Sequence, residues 1–273
     1  MIDLEWSTDG GLDHHFDSLA ELYHENSKTR RRPGASGPTA EAIQAMSHGF
    51  KVYANSPSTP LPPPALLPPG SDSLGHALRT RRSVRRYEQG PLPIRVLGDV
   101  LFSAYGMRDP ELPFRTVPSA GGLYPLELYL VNLEAGELPV GAYHYDLRRH
   151  SLDLIPDHGP VAQLRDCIFV PEAGETAAAM IVITGVFGRS RIKYGERAYR
   201  FAHLEAGHVG QNIALTCTCM GIGFCPFGGF VDDEVNNLLN LDGVDEAAIY
   251  LGTLGLLSRS RDAGSTTEEE VLR

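Results

Sequence analysis

The sequence Pro-Ser-Ala-Gly-Gly-Leu-Tyr-Pro at residues 118–125 runs directly into Leu-Glu-Leu-Tyr-Leu-Val at residues 126–131. The second stretch is rich in strand-forming residues and follows a turn signal, so it predicts a β-strand. The two glycines before it allow positive φ and a close approach of the backbone to another group. The pair of stretches therefore predicts a tight loop that leads into a strand, and either an ordinary turn or a site for a flat ligand would suit that loop.

Segments on both sides of this strand predict further helices and strands. Helices are expected at 74–81, 94–105 and 197–220, a hairpin at 141–146 and 151–154, a central strand at 178–184, and a buried strand at 247–252. Strands and helices in mixed order favour an α+β fold over an alternating βαβ array. We find no Gly-x-Gly-x-x-Gly after a first strand, so a Rossmann nicotinamide site is not expected.

Composition excludes several classes of protein. The chain has 273 residues, of which 42% are hydrophobic, and its formal net charge is −10. The acidic balance argues against nonspecific binding to nucleic acid or to anionic membranes. No apolar stretch reaches the roughly eighteen residues of a membrane span, and no secretory signal opens the chain, so we expect a cytoplasmic protein. The four cysteines lack the spacing of a zinc or redox motif, so no metal is expected and buried free thiols are the interpretation.

Changes in composition divide the chain into four regions. Residues 1–55 are a helical or irregular segment, in which 16–23 has helical spacing and 28–32 is basic. Residues 56–72 hold seven prolines and predict an extended linker, because proline fixes φ and removes a backbone donor. Residues 73–260 are the expected catalytic domain, and residues 261–273 an acidic, disordered tail.

An unusual density of arginine marks the start of the catalytic domain. Five arginines fall within the eight positions 79–86. Such a cluster in an acidic protein indicates an anion site, because the planar guanidinium suits phosphate, and Ser83 adds a hydroxyl donor. A solvated basic face or a nucleic-acid patch is the alternative.

A second group of candidates lies around the long predicted helix: two residues come just before it, and the others lie on it or beyond its end. Lys193 and Tyr194 are adjacent titratable groups, and either could serve as a base, although a solvated lysine and a core-edge tyrosine are the alternative. On the helix, Glu205, His208 and Asn212 are spaced for one face, and His208 is interpreted as structural. Beyond the helix, Gly221 is a predicted C-cap. The glycines at 228 and 229 could form a backbone nest for an anion or a cofactor edge.

Four motifs in order resemble the nitroreductase-like flavoproteins. Residues 81–87, Arg-Arg-Ser-Val-Arg-Arg-Tyr, resemble the opening motif of that family. Residues 118–125 look like the flavin loop of its SagB/ThcOx-type azoline dehydrogenase branch. The stretch 193–201 is similar to the segment that bears the catalytic Lys-Tyr pair in that branch, and 205–212 matches its next helix.

The resemblance implies a nitroreductase-like fold, with a central, mostly antiparallel sheet flanked by helices. It also implies a homodimer of the domain-swapped type, with flavin sites built from both subunits. The implied cofactor is FMN, and the implied catalytic residues are Lys193 and Tyr194. The residues implied to bind FMN are Arg81, Arg82, Ser83, Arg85, Pro118, Ser119, Ala120, Gly121, Gly122, Gln211, Asn212, Gly228 and Gly229.

The function that this resemblance favours is oxidation of a thiazoline or oxazoline ring to the aromatic azole. The substrate would be a peptide or a carrier-bound intermediate, molecular oxygen would reoxidise the flavin, and a YcaO-type cyclodehydratase is the expected partner enzyme. Two alternatives stay open. One is an NAD(P)H-dependent nitro or quinone reductase, and the other is a non-catalytic scaffold that uses residues 1–72.

Overall fold

The computed structural model describes residues 19–28, 39, 41–42, 49–64, 74–109 and 114–257. The predicted acidic tail at 261–273, and all of the predicted basic patch except Lys28, lie outside the described residues. The chain forms two compact units, residues 1–36 and 37–273. The first contributes helix α1 (Leu19–Asn26), which overlaps the stretch predicted to be helical.

A seven-stranded sheet forms the centre of the second unit. Its strands are β1 (Ser58–Pro60), β2 (Leu126–Asn132), β3 (Gly141–Asp146), β4 (Ser151–Leu154), β5 (Ala179–Val186), β6 (Ile222–Phe227) and β7 (Glu246–Leu256). The strand order is β1-β4-β3-β2-β5-β7-β6, and every neighbouring pair is antiparallel. The expected α+β fold with an antiparallel sheet is therefore confirmed.

Helices cover both faces of this sheet. They are α2 (Leu74–Thr80), α3 (Ile94–Tyr105), α4 (Pro171–Thr176), α5 (Gly188–Tyr194), α6 (Arg197–Met220) and α7 (Asp232–Leu238), with 3₁₀ turns at Ala120–Gly122 and Val161–Arg165. Side chains of β2 alternate between the faces: Leu128 and Leu130 pack with α3 and α6, whereas Tyr129 and Val131 pack with α4 and α7. A strand buried on both faces has few polar positions, which explains the apolar runs in the sequence.

Two segments differ from their expected structure. The edge strand β1 lies inside the proline-rich stretch 56–72, where Pro60 pairs with Ser151 of β4; an edge position suits proline because its missing N–H costs no ladder hydrogen bond. Strand β6 falls in a stretch interpreted only as a glycine-rich segment. Its glycine and proline disfavour a strand locally, and pairing with β7 along its whole length overrides that preference.

The long helix α6 has the predicted bounds and the predicted cap. Gly221 adopts a left-handed φ of 68°, and its N–H donates to the carbonyls of Cys217 and Thr218. Cys167, Cys217 and Cys225 are buried free thiols, as expected, whereas Cys219 is only half-buried. In the part of the chain that the structure describes, no helix combines the length and the apolar character needed to cross a membrane.

Candidate active site

The loop before β2 is a 3₁₀ turn with two left-handed glycines. Gly121 has φ of 64° and Gly122 has φ of 67°, a region that residues with a Cβ adopt only at a cost. Ser119 fixes the turn, because its Oγ accepts a hydrogen bond of 2.9 Å from the N–H of Tyr124, and its carbonyl accepts one of 3.1 Å from Gly122. The sequence thus builds a rigid loop with bare backbone at its tip.

The predicted catalytic pair rests on this tip. A Cβ added to Gly121 would stand 2.6 Å from Tyr194 Oη and 2.8 Å from Lys193 Nζ. Lys193 Nζ lies 5.3 Å from the centre of the Tyr194 ring, and that ring packs edge-on against Phe201 with 4.9 Å between centroids. The fold therefore brings together two predicted motifs that are far apart in the sequence.

A buried carboxyl supports the loop from behind. Tyr105 Oη donates to Glu205 Oε1 at 2.6 Å and accepts from the N–H of Leu126 at 3.3 Å, while the Ser119 hydroxyl lies near the same carboxyl. The guanidinium of Arg115 stacks on the Tyr105 ring at 4.3 Å. Burial raises the pKa of Glu205 more than the hydroxyls of Ser119 and Tyr105 lower it.

Helix α5, which carries the pair, is anchored at its start. Arg189 Nη2 donates to Glu127 Oε1 at 2.5 Å, and Arg189 Nη1 donates to the carbonyl of Tyr124 at 3.4 Å. The other carboxylate oxygen of Glu127 lies 2.8 Å from His144 Nε2. Burial alone would raise the pKa of Glu127, but the hydrogen bond to His144 and the charge of Arg189 outweigh it and lower that pKa to about 2.

The arginine segment lies along the edge strand β6. The N–H of Val84 donates to the carbonyl of Phe224 at 2.9 Å, so the segment continues the sheet by a single hydrogen bond there. Ser83 and Arg85 lie near the thiol of Cys225. Arg81 and Arg82 are exposed.

Two cavities follow one face of α6. The first, of about 380 Å³, is lined by Ala206 and Gly207 of α6 together with Gly228 and Tyr250. The second, of about 390 Å³, is lined by Arg82 and Val84 together with Ala214, Cys217 and Thr218 of α6. Both volumes lie within the range of about 300–1,000 Å³ that is typical of small-molecule sites. The predicted phosphate end and the predicted glycine-rich end therefore face the same helix.

The remaining predicted residues have varied surroundings. Gln211 is exposed on α6, whereas the side-chain amide of Asn212 donates to the carbonyl of Ser103 at 3.1 Å and so ties α6 to α3. Gly228 has open space where a Cβ would be, and a Cβ on Gly229 would stand 3.3 Å from the ring of Phe169. His208, which was interpreted as an interior residue, is exposed; the buried stripe of α6 passes instead through residues such as Glu205, Val209 and Ile213.

The structure thus sorts the predicted site residues into two groups. One contains the 118–122 loop with Lys193 and Tyr194, and the other lies along α6, with Arg82 at one cavity and Gly228 at the other. Sequence reasoning did not single out the supporting residues Arg189 and Glu127, and it named Glu205 without assigning it a role. Glu127 carried a usable signal, since a carboxylate within an otherwise apolar strand is rarely buried without a partner.

Comparison with known proteins identifies the class. Residues 78–256 match the Nitroreductase family, so the chain belongs to this family. The expected nitroreductase-like fold is confirmed, and family membership identifies the chain as an oxidoreductase.

Two relatives and one solved structure extend this result. "Putative nitroreductase MJ1384" of Methanocaldococcus jannaschii is 38% identical over 168 residues, which are 62% of this chain and 84% of that protein. Microcin B17-processing protein McbC of Escherichia coli is 28% identical over 166 residues, which are 57% of this chain and 59% of McbC. The E. coli microcin synthetase McbBCD complex with truncated pro-MccB17 bound matches with a TM-score of 0.57 at 21% identity, covering 88% of this chain and 92% of that one; this likeness shows the fold.

Proposed function

We propose that this protein is an FMN-dependent dehydrogenase that oxidises a thiazoline or oxazoline ring, in a peptide or carrier-bound intermediate, to the aromatic azole. The observation that carries the proposal is the convergence of Lys193 Nζ and Tyr194 Oη on the bare backbone of Gly121. Two proton-transfer groups at the tip of a glycine loop suit a reaction in which a proton leaves carbon beside a flat cofactor.

The chemistry assigns one task to each part. Aromatisation of an azoline removes one proton and one hydride from the ring and leaves one new double bond. FMN, when bound, supplies the acceptor for the hydride. Lys193 or Tyr194 takes the proton, since the polar ends of both side chains lie at the backbone of Gly121. Molecular oxygen is the proposed final acceptor of the two electrons.

The choice of lysine at position 193 supports a proton-transfer role. Of the 24 lysine and arginine residues in the chain, only Lys28, Lys51 and Lys193 are lysines. A lysine amine can lose its proton, whereas a guanidinium does not do so in proteins. A chain that uses arginine for nearly all its positive charges has a lysine where a base is needed.

The described residues fit FMN. Arg81, Arg82, Ser83 and Arg85 would hold the phosphate, since Arg82 and Thr80 line one of the α6 cavities and bring a charged and a hydroxyl donor to it. The open space at Gly228, at the other cavity, would admit the edge of the ring system. The residues proposed to line the flavin are Pro118, Ser119, Ala120, Gly121, Gly122, Gln211, Asn212, Gly228 and Gly229.

We further propose a homodimer in which each flavin site combines the two groups of residues from different subunits. The exposed surface of α6 supports this, because it carries Leu204 at 57% exposure and Tyr199 at 45%. Large exposed apolar side chains on one element are typical of an interface.

Sequence similarity to a peptide-processing protein supports a peptide substrate. McbC processes microcin B17, and the McbBCD complex holds a truncated pro-MccB17. A partner cyclodehydratase of the YcaO type would supply the azoline ring. The relative from Methanocaldococcus jannaschii favours the second candidate function, an NAD(P)H-dependent nitro or quinone reductase.

The cofactor is tested on the purified protein. We expect a yellow protein that releases FMN on heating, and tight FAD without FMN would contradict the proposal. Arg82→Ala should weaken FMN retention by about 1.5–3 kcal/mol, the value of one hydrogen bond to a charged group. Arg86→Ala, at a neighbouring exposed arginine without a proposed contact, is the control.

The reaction is tested with a synthetic peptide that contains one thiazoline. The loss of two hydrogens from this peptide is monitored by mass spectrometry. Lys193→Ala and Lys193→Arg should both keep FMN, yet lower the turnover by about 10²–10⁴-fold, the usual contribution of a general base. Full turnover in either variant would remove Lys193 from the mechanism. Reduction of a nitroarene by NADPH, together with an unreacted thiazoline, would favour the second candidate function.

A further inference from the structure

Helix α5 must hold a defined position for Lys193 and Tyr194 to reach Gly121. The helix has only seven residues, and a helix this short has little stability of its own in water. Its position therefore depends on the contacts that its side chains make. Lys193 and Tyr194 are in its last turn, where the Tyr194 ring packs on Phe201, so the contacts of the first turn fix the other end of the helix.

The first turn is fixed by Arg189. This side chain is 8% exposed, and its guanidinium donates to Glu127 Oε1 and to the carbonyl of Tyr124. Both acceptors belong to the stretch that leaves the glycine loop and enters β2. One end of α5 is thus tied to residues just after the loop, while the other end lies on the loop itself.

Glu127 is a rigid partner for this contact. It lies in β2, and His144 of the neighbouring strand β3 holds its second carboxylate oxygen at 2.8 Å. The His144 ring packs in turn against Tyr129 with 5.2 Å between centroids and against Tyr53 with 5.3 Å. A buried ionised carboxylate needs its partners, and a charge-assisted hydrogen bond is both short and directional. The Arg189–Glu127 ion pair can therefore hold the start of α5 in a defined position.

We propose that Arg189 is a positioning residue that, through Glu127, fixes α5 so that Lys193 Nζ and Tyr194 Oη meet the backbone of Gly121. The consequence for turnover rests on the proposed function, whereas the placement of Lys193 does not. The chain also offers a matched control on the same helix: Arg191 is exposed, and its guanidinium lies 2.9 Å from the exposed carboxylate of Glu196.

The placement is tested by trace acetylation of the FMN-loaded protein with acetic anhydride, read by mass spectrometry. Lysines are so few that Lys193 and Lys28 are resolved easily, and Lys28, which is exposed and belongs to the other compact unit, serves as the internal reference. Arg189→Gln should raise the labelling of Lys193 relative to Lys28 by about tenfold, the scale of losing one hydrogen bond between charged groups. Arg191→Gln should leave this ratio unchanged.

The role in turnover is tested with the thiazoline peptide. Arg189→Lys keeps the charge but loses the forked geometry, so kcat should fall by about tenfold while KM and the bound FMN stay the same. Added guanidinium should restore part of the kcat of Arg189→Ala. A purely structural role would instead lower the melting temperature and the FMN content together, without rescue by guanidinium.

An Arg189→Gln protein that folds and shows unchanged labelling of Lys193 would overturn the proposal. If the Arg189 variants do not fold, Glu127→Gln decides, because it keeps the shape of the side chain; unchanged labelling of Lys193 in that variant also rejects the proposal. Failure of the proposed function looks different: the wild-type protein would leave the thiazoline unreacted, while the labelling of Lys193 would still respond to Arg189.

Discussion

Gly121 must be glycine for two separate reasons. Its φ of 64° is in the left-handed region, and the space where a Cβ would stand is taken by Lys193 Nζ and Tyr194 Oη. The turn alone could be inferred from the two consecutive glycines. The crowding could not, because it depends on a helix that arrives from a distant part of the chain.

Gly121→Ala should therefore both strain the backbone and displace the side chains of Lys193 and Tyr194. The neighbouring Gly122→Ala is a control for backbone strain, since its φ is 67° and nothing lies within 4 Å of the added Cβ. Each substitution should destabilise the loop by about 1–2 kcal/mol, the cost of a left-handed L-residue. Because Gly122 is itself proposed to line the flavin, the variants are compared at equal FMN content. Only Gly121→Ala should then displace the proposed catalytic pair and lower kcat on the thiazoline peptide by about 10²-fold or more, as expected for a lost proton-transfer group. Equal kcat values for the two variants would disprove the crowding argument.

Glu205 should make stability depend on pH. Because burial raises its pKa, the folded protein keeps a proton that the unfolded chain has already released. Its stabilising contribution is fully present below the ordinary carboxyl value of 4.5 and is lost as pH rises through the folded value. Glu205→Gln cannot ionise, so the unfolding free energy in urea should fall less between pH 4 and 8 than in the wild-type protein.

Glu134→Gln, at a carboxyl on the surface, is the control for this comparison and should keep the wild-type slope. The same slope in Glu205→Gln as in the wild-type protein would mean that Glu205 has the same pKa in the folded and unfolded chains, which would contradict the raised folded pKa. The role of Glu205 could not be predicted from the sequence, where it is one of several polar residues on a helix. Its burial results from Tyr105 and Ser119, which come from two other segments.

An individual helix or strand could be predicted where the sequence pattern that defines it is local. Helix α6 has a long 3.6-residue pattern and a glycine cap, so both ends matched the prediction. Strand β6 lacks any such pattern, and helix α5 is too short to show one. These two elements exist because of tertiary pairing and side-chain anchors, which a single sequence does not reveal.

The middle of α6 has a close contact that can be tested. A Cβ on Gly210 would stand 2.5 Å from Cε1 of Tyr250, a side chain that lines the first cavity. Gly210→Ala should therefore lower stability by about 1–3 kcal/mol through overpacking, despite the better helix propensity of alanine. In a double-mutant cycle with Tyr250→Ala, the changes in the free energy of unfolding measured in urea should not add, because the second substitution removes the clash. Simple additivity would show that the two side chains do not interfere.

At the scale of the whole molecule, the fold class could be predicted but the order of strands could not. A mixed series of helices and strands already indicates an α+β domain. The order β1-β4-β3-β2-β5-β7-β6 depends on long-range register, in which β5 pairs with both β2 and β7. The division of the site into two groups of residues is likewise a property of the folded chain.

The proposed homodimer is tested by introducing one charged side chain on the exposed surface of α6. Leu204→Arg should weaken association and release FMN together, because each flavin site would need both subunits. Val244→Arg, at an apolar residue that is 75% exposed outside α6, is the control. Sedimentation and FMN absorbance on the same samples give both readouts. A wild-type monomer that retains FMN would contradict the shared site.

The backbone pairing of Val84 with Phe224 sets an order of events during synthesis. The arginine segment leaves the ribosome early, but its partner strand β6 and the neighbouring β7 come near the end of the described chain. Pairing across so many residues forms late in folding. We expect cofactor capture to be a final step, so that quenching of flavin fluorescence in a refolding experiment lags behind the appearance of sheet signal; simultaneous signals would show that the flavin is captured before the sheet edge closes.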